Sequence, residues 1–275
     1  MKTLIIYVLI SIFSTQLFFS QNFQGIAVYK TKRQVQIKMD SSKVSNEMNK
    51  SIQEQLNRQF QKDYTLKFDG KKSIYTENEK LDAPSTQSGS GIQIKITGGN
   101  DIVYRNIADK NFVNQTEFMG KFFLIKDSLK SMDWKLESET KQIGNYVAYK
   151  ATFTREVKVK EFNSLDDEII ETTKQRTTTA WYTPEIPVSI GPAGYWGLPG
   201  LILEVQEDKQ VFLCTEIILN PSEKFGIEIP SKGKVVSQEE FDAIQQEKNE
   251  EWIERNTGGR TKGGNKIISI KTSGQ

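Results

Sequence analysis

The chain holds no histidine and a single cysteine, Cys214, beside 35 acidic and 37 basic residues. Without imidazole there is no Ser-His-Asp or Cys-His nucleophile, no histidine general base and no imidazole zinc site. One cysteine cannot make a Cys-x-x-Cys redox pair or a thiolate metal cluster within the chain. Carboxylates, lysines, hydroxyls and backbone groups remain, and no metal or cofactor is expected. The densest carboxylate group is Asp166-Asp167-Glu168, just after Asn163-Ser164. A calcium loop spaces its ligands as Asp-x-Asp-x-Asn-Gly, and that spacing is missing, so a solvated hairpin turn is favoured over a calcium site or a paired-carboxylate hydrolase. A Ser-Lys dyad is compatible with the composition, but both residue types are too abundant to single out a pair. There is no P-loop and no dinucleotide fingerprint; Gly98-Gly99-Asn100-Asp101 reads as a turn. Asn114-Gln115-Thr116 fits a glycosylation acceptor, a triplet that recurs by chance. No catalytic residue is assigned.

Any site must be positioned by strands, because period-two segments dominate. Tyr64 to Phe68 alternates, Asp69-Gly70 supplies a hairpin turn, and Ser73 to Tyr75 resumes. Further strands are expected over Gly25–Gln36, Ile92–Ile96, Ile102–Asn106, Asn111–Gln115, Lys121–Ile125, Trp134–Glu137, Tyr146–Phe162, Glu168–Tyr182, Leu201–Gln206 and Val211–Ile218. Cys214 lies inside the last of these, which makes it a buried structural thiol. Two helices interrupt the pattern. One, about Ser42–Gln61, lines up Val44, Met48, Ile52, Leu56 and Phe60 at four-residue spacing. The other opens on Ser237 and Glu240 at capping-box spacing and carries Phe241, Ile244, Lys248 and Trp252 along one face. Asp82–Gly91, rich in Ser and Gly, reads as a surface loop. From Asn256 on, the chain is glycine-rich and basic. The expected fold class is α+β, mainly antiparallel β: a large curled sheet, an open half-barrel, with one or two packed helices. The expected division is a leader over 1–20, the β domain over 21–236 with its helix about 42–61, a C-terminal helix over 237–255 and a flexible basic tail over 256–275.

Lys2, the apolar stretch Leu4 to Phe19 and small Ser20 have the three-part layout of a cleaved signal peptide. Ser11, Ser14, Thr15 and Gln16 interrupt that stretch, which argues against a retained anchor, since a spanning helix needs about 20 predominantly apolar residues. No cysteine near the junction offers a lipid attachment point. Loss of Lys2 takes the formal charge from +2 to +1, so charge gives no reason to expect a nucleic-acid partner. With one cysteine, stability has to come from packing rather than from an intramolecular disulfide.

The most distinctive stretch is Ala180 to Val205, AWYTPEIPVSIGPAGYWGLPGLILEV. Pro184, Pro187, Pro192 and Pro199 each fix φ and remove a donor, so the chain turns a corner there. Pro199-Gly200 suits the central positions of a type II turn. Leu201 then re-enters the sheet, with Leu201, Leu203 and Val205 expected on one face and Ile202 and Glu204 on the other.

Gly197-Leu198-Pro199-Gly200-Leu201-Ile202 resembles the naming motif of the GLPGLI family, exported proteins found mainly in Bacteroidetes. Ala180 to Thr183, Ile186-Pro187, Gly191-Pro192, Ile143-Gly144 followed by Lys150-Ala151, and the Leu66-x-Phe68 hairpin extend the similarity over most of Tyr64–Val205. The sequence departs from the family at Ala148, where members often carry cysteine, and over Ala193 to Tyr195. The resemblance implies export to the periplasm or outer-membrane region and brings no catalytic residues. Trp181, Tyr195, Trp196, Gly197, Leu198, Pro199, Gly200, Leu201 and Ile202 form the corner and a candidate binding surface, although a structural corner with aromatics capping the core is the favoured explanation. The strand-rich chain is also similar, by fold-level analogy, to periplasmic lipoprotein carriers.

Three functions follow as expectations. The first is a non-catalytic envelope protein holding a lipid or other apolar ligand between sheet and helix. The second is an accessory module docking on an outer-membrane protein, and the third is a histidine-independent envelope hydrolase.

Overall fold

A computed structural model describes residues 23–33, 60–78, 101–163 and 168–257, with side chains described throughout except at 158–171 and 252–257. The leader, the helix expected over Ser42–Gln61 apart from its last two residues, the loop Asp82–Gly91, the strand Ile92–Ile96, the turn Gly98 to Asn100, Asp166-Asp167 and the tail beyond Thr257 lie outside the described residues.

Among them are twelve strands: β1 Gln24–Arg33, β2 Lys62–Asp69, β3 Lys72–Glu77, β4 Ile102–Asn106, β5 Asn111–Phe118, β6 Lys121–Ser128, β7 Lys135–Ile143, β8 Tyr146–Asn163, β9 Glu168–Thr183, β10 Leu201–Glu207, β11 Gln210–Leu219 and β12 Lys234–Val236, followed by the helix α1 Gln238–Thr257. They form one sheet in the order β12-β6-β5-β4-β3-β2-β1-β11-β10-β9-β8-β7. Its two edges, β12 and β7, do not pair, so the sheet is open rather than a closed barrel.

Local chemistry explains most neighbours. Asp69 turns the β2–β3 hairpin by accepting the Lys71 and Lys72 backbone N–H groups at 2.7 and 2.6 Å, an Asx-type turn beside Gly70. β8 and β9 pair continuously from Tyr149↔Tyr182 to Asn163↔Glu168, well beyond the reach of β7, whose pairing stops at Thr152, and of β10, which stops at Thr178.

The sheet departs from the expected antiparallel arrangement at one place, where β12 runs parallel to β6 with Val235 opposite Leu124. The chain leaves β11 in the middle of the sheet and must cross six strands, β1 to β6, to reach the far edge. Such a crossover, unlike a hairpin, delivers the next strand in parallel sense. On the way Ile227 packs against Tyr104, Val113 and Leu124. Directly after β12, Ser237 and Glu240 form the reciprocal capping box: Ser237 N–H donates to the Glu240 carboxylate at 2.8 Å and Glu240 N–H to Ser237 Oγ at 3.1 Å. The helix then seats Phe241 against Phe123 and Phe118, with ring centroids 5.2 and 6.1 Å away.

The main core gathers Ala27, Tyr29, Leu66, Phe68, Tyr75, Ala180, Val205 and Phe212 from one face of the sheet, with Ile186, Val188, Ile190 and Leu198 from the corner above it. Cys214 is buried in this core as a free thiol.

Candidate functional site

The corner folds back on itself before it meets the sheet. Ile186, Val188 and Ile190 turn inward at alternate positions and are 0, 3 and 1 % exposed. Leu201 N–H donates to Ile186 O at 2.9 Å and Ile202 N–H to Ile190 O at 3.0 Å. Three side chains from distant elements hold it: Tyr29 Oη donates to Ile202 O at 2.7 Å, Trp134 Nε1 to Trp196 O at 2.8 Å, and Arg105 Nη1 to Gly191 O at 3.5 Å.

Two expectations for this stretch are corrected. Gly200 is absent from the positive-φ glycines, and its N–H bonds Leu198 O at 2.8 Å across Pro199, so the turn is a three-residue one and not type II. Glycine is required for space: a Cβ there would lie 2.1 Å from Thr183 O. Positive φ occurs instead at Gly197, at 92°. The alternation expected from Leu201 to Val205 also fails, because β10 slips against β9 between Ile202 and Glu204. With Leu203 as the extra residue of a bulge, Ile202 opposite Tyr182 and Val205 opposite Ala180 come to share a face. Leu201, Ile202 and Leu203 are thereby all buried.

The sequence-selected corner residues are consequently dispersed. Leu198, Leu201 and Ile202 are core, Pro199 and Gly197 are exposed, and Trp196 is half-buried. Tyr195 is buried against Phe212, with centroids 6.0 Å apart, and its hydroxyl reaches Glu207 at 3.3 Å. Trp181 lies on the other face of β9 from Ala180 and Tyr182, where Lys141 sits 4.3 Å over its ring and pairs with Glu204 at 2.6 Å. Glu207 gathers Arg155 at 3.1 Å and the Thr178 hydroxyl, tying β8, β9 and β10 together.

The chemically unusual residues lie beside the corner, on the core face of β3, β4 and β5. Ser73 faces Arg105 across the β3–β4 ladder, Tyr75 faces Val103, and Val103 faces Asn114 on β5. Residues two apart share a face, so Ser73, Tyr75, Arg105, Asn114 and, before β4, Asp101 form one file. Four of them have a buried polar atom with no hydrogen-bond partner: Ser73 Oγ, Tyr75 Oη, Asp101 Oδ1 and Asn114 Oδ1. Arg105 is 2 % exposed, and among the described residues it has no carboxylate within ion-pair distance. Burial pulls its guanidinium down to about 10, opposed by the nearby Tyr75. Burial also pushes the Tyr75 and Tyr64 hydroxyls far up, and their rings stack at 4.8 Å. Asp101 is raised by burial against the lowering effects of Thr116 and Lys62. At this end Lys62 pairs with Glu77 at 2.7 Å.

Native proteins leave few buried polar groups unpaired, so a file of four calls for a physical explanation. None of the five was singled out from the sequence as a binding residue; Asn114 was noted only as a glycosylation acceptor and Asp101 only as part of a turn. The available signal was Arg105 inside the apolar run Ile102-Val103-Tyr104, which the strand periodicity places on a buried face. Asn114 sits mid-strand on this face, which is unlike a glycosylation acceptor on a surface loop. On the opposite face a surface depression of about 320 Å³ lies between β4, β5, β6 and Ile229. Its Asn106 and Asp109 bond one another at 2.7 Å, and among the described residues no group of three or more Asp, Glu or Cys could hold a metal ion.

No curated protein sequence matches the chain. Two solved structures of PNGF-II, in the C2 and P21 space groups, are similar at 13 % identity, with TM-scores of 0.45 and 0.46 over 81 and 82 % of this chain. They are matched over 32 and 33 % of their own length, so the chain spans about a third of them. Residues 134–204, from the tryptophan that holds the corner to the fourth residue of β10, match the family model described as "Protein of unknown function (Porph_ging)".

Proposed function

We propose that this is a non-catalytic, exported envelope protein of the GLPGLI type that carries a ligand against the core face of its sheet, beside the corner. The observation that supports the reading is the file of unpaired buried atoms at Ser73, Tyr75, Asp101 and Asn114 beside Arg105. A wholly apolar core gains nothing from such a file, since each orphaned group costs about 1–3 kcal/mol, whereas a bound molecule would satisfy it. The aromatic neighbours Tyr29, Tyr64 and Tyr75 supply an apolar wall for the rest of that molecule. The deciding experiment is native mass spectrometry of the protein purified from its own cell envelope. A co-purifying small molecule released on unfolding is expected; the bare mass of the mature chain in every preparation overturns the reading.

A further inference from the structure

The fold leaves Arg105 unexplained. Buried guanidinium groups are paired with carboxylates as a rule, yet the described residues offer this one a single long contact, 3.5 Å to Gly191 O. Its cross-strand partner Ser73 is fully buried with a free hydroxyl, and Tyr75, two residues along the same face, is 3 % exposed with another. Tyr75 is close enough to Arg105 for each to perturb the other's charge. Ser73 and Tyr75 thus carry unpartnered hydroxyls on the face where Arg105 is buried without a carboxylate among the described residues.

We infer that Arg105, Ser73 and Tyr75 cradle the carboxylate of an organic acid whose apolar body lies along the core face of the sheet. This rests on the carrier reading above and names the class of its ligand. A carboxylate accepts two parallel N–H bonds from a guanidinium fork and keeps lone pairs for hydroxyl donors. One positive charge matches one carboxylate. A dianionic phosphate would leave net charge buried, and Lys62 at the other end of the face is already neutralised by Glu77.

The test is calorimetric titration of the mature, delipidated protein at pH 7.5 with dodecanoate, dodecanol and dodecyl phosphate. Dodecanoate is expected to bind at least about tenfold more tightly than dodecanol, the difference one charge-assisted contact makes, and more tightly than dodecyl phosphate. Arg105→Met should erase the preference. Ser73→Ala and Tyr75→Phe remove only unpaired hydroxyls, so both should fold with undiminished melting temperature and bind dodecanoate several-fold more weakly; they keep the test alive if Arg105→Met fails to fold. Equal affinity for acid and alcohol, or tighter binding of the phosphate, overturns the carboxylate cradle while leaving a carrier. Failure of all three probes overturns the cradle as well, and the mass of the envelope-purified protein then decides separately whether the carrier reading survives.

Discussion

Gly200→Ala is expected to be among the most damaging single-methyl additions in this protein. The new Cβ would meet Thr183 O at 2.1 Å, Thr183 C at 2.5 Å and Pro184 N at 2.9 Å. All three are backbone atoms, so no rotamer change relieves the clash, and ordinary contact is more than an ångström further out. Thr183 is the β9 partner of Leu201, so moving it opens the ladder at its first pair and disturbs Leu198, Leu201 and Ile202, each 0 % exposed. Overpacking typically costs 1–3 kcal/mol, and a clash between backbones belongs at the top, about 3 kcal/mol. Gly197→Ala is the internal control. Its φ of 92° is unfavourable for alanine, but its Cβ would meet nothing nearer than Trp134 at 3.9 Å, leaving only the conformational penalty of about 1–2 kcal/mol. Urea unfolding followed by tryptophan fluorescence measures both, since Trp134 and Trp196 adjoin the corner. At about 2–4 °C per kcal/mol, Gly200→Ala should melt roughly 6–12 °C below the parent protein. If it proves as stable as Gly197→Ala or better, steric exclusion by Thr183 is not why glycine stands at this position.

Cys214 is buried, and burial pushes its thiol up to about 12 against the lowering effect of the Glu216 backbone; at pH 8 it should resist iodoacetamide for hours and react promptly in urea, and rapid stoichiometric labelling of the folded protein would contradict this. Glu207→Gln leaves Arg155 without its carboxylate at the meeting point of β8, β9 and β10. Arg155 is partly solvated, so the loss should be modest, about 1–2 kcal/mol, and an unchanged unfolding midpoint would remove the network from the account of stability. Ser237→Ala deletes one half of the capping box and should cost about 1 kcal/mol, seen as faster amide exchange in the first turn of α1; exchange unchanged there would show that Phe241 alone holds the helix. Because burial raises Asp101 in the folded state, that state keeps the proton longer than the unfolded chain. Stability therefore falls as pH rises from the ordinary aspartate range to the raised value, and the penalty is complete above it. Asp101→Asn should be at least as stable as the parent at pH 7 and lose this advantage on acidification below about pH 4; a variant less stable at pH 7 would mean that the charge is compensated.

Local elements were legible from sequence because their signals are local. Alternation and an Asp-Gly turn mark β2 and β3, four prolines mark the corner, and Ser237 with Glu240 marks the start of α1, each a matter of neighbouring residues choosing their own backbone geometry. β12 was missed: three residues carry too short a pattern, and only the crossover from β11 presses Lys234 to Val236 onto β6. The bulge at Leu203 was missed because a register slip belongs to a pair of strands and leaves no mark on either alone.

The candidate site divides the same way. By itself the sequence determined what chemistry is missing, since histidine and paired cysteine are matters of inventory, and it determined that a rigid proline-glycine corner interrupts the sheet. It drew attention to that corner as a binding surface, whereas the tertiary structure buries Leu198, Leu201 and Ile202 and turns Trp181 to the opposite face. Only the fold decided that Ser73, Tyr75, Asp101, Arg105 and Asn114 stand in one file. They come from three strands and are brought together by ladder register, and whether a buried polar atom has a partner depends on what packs across from it, which no stretch of sequence contains.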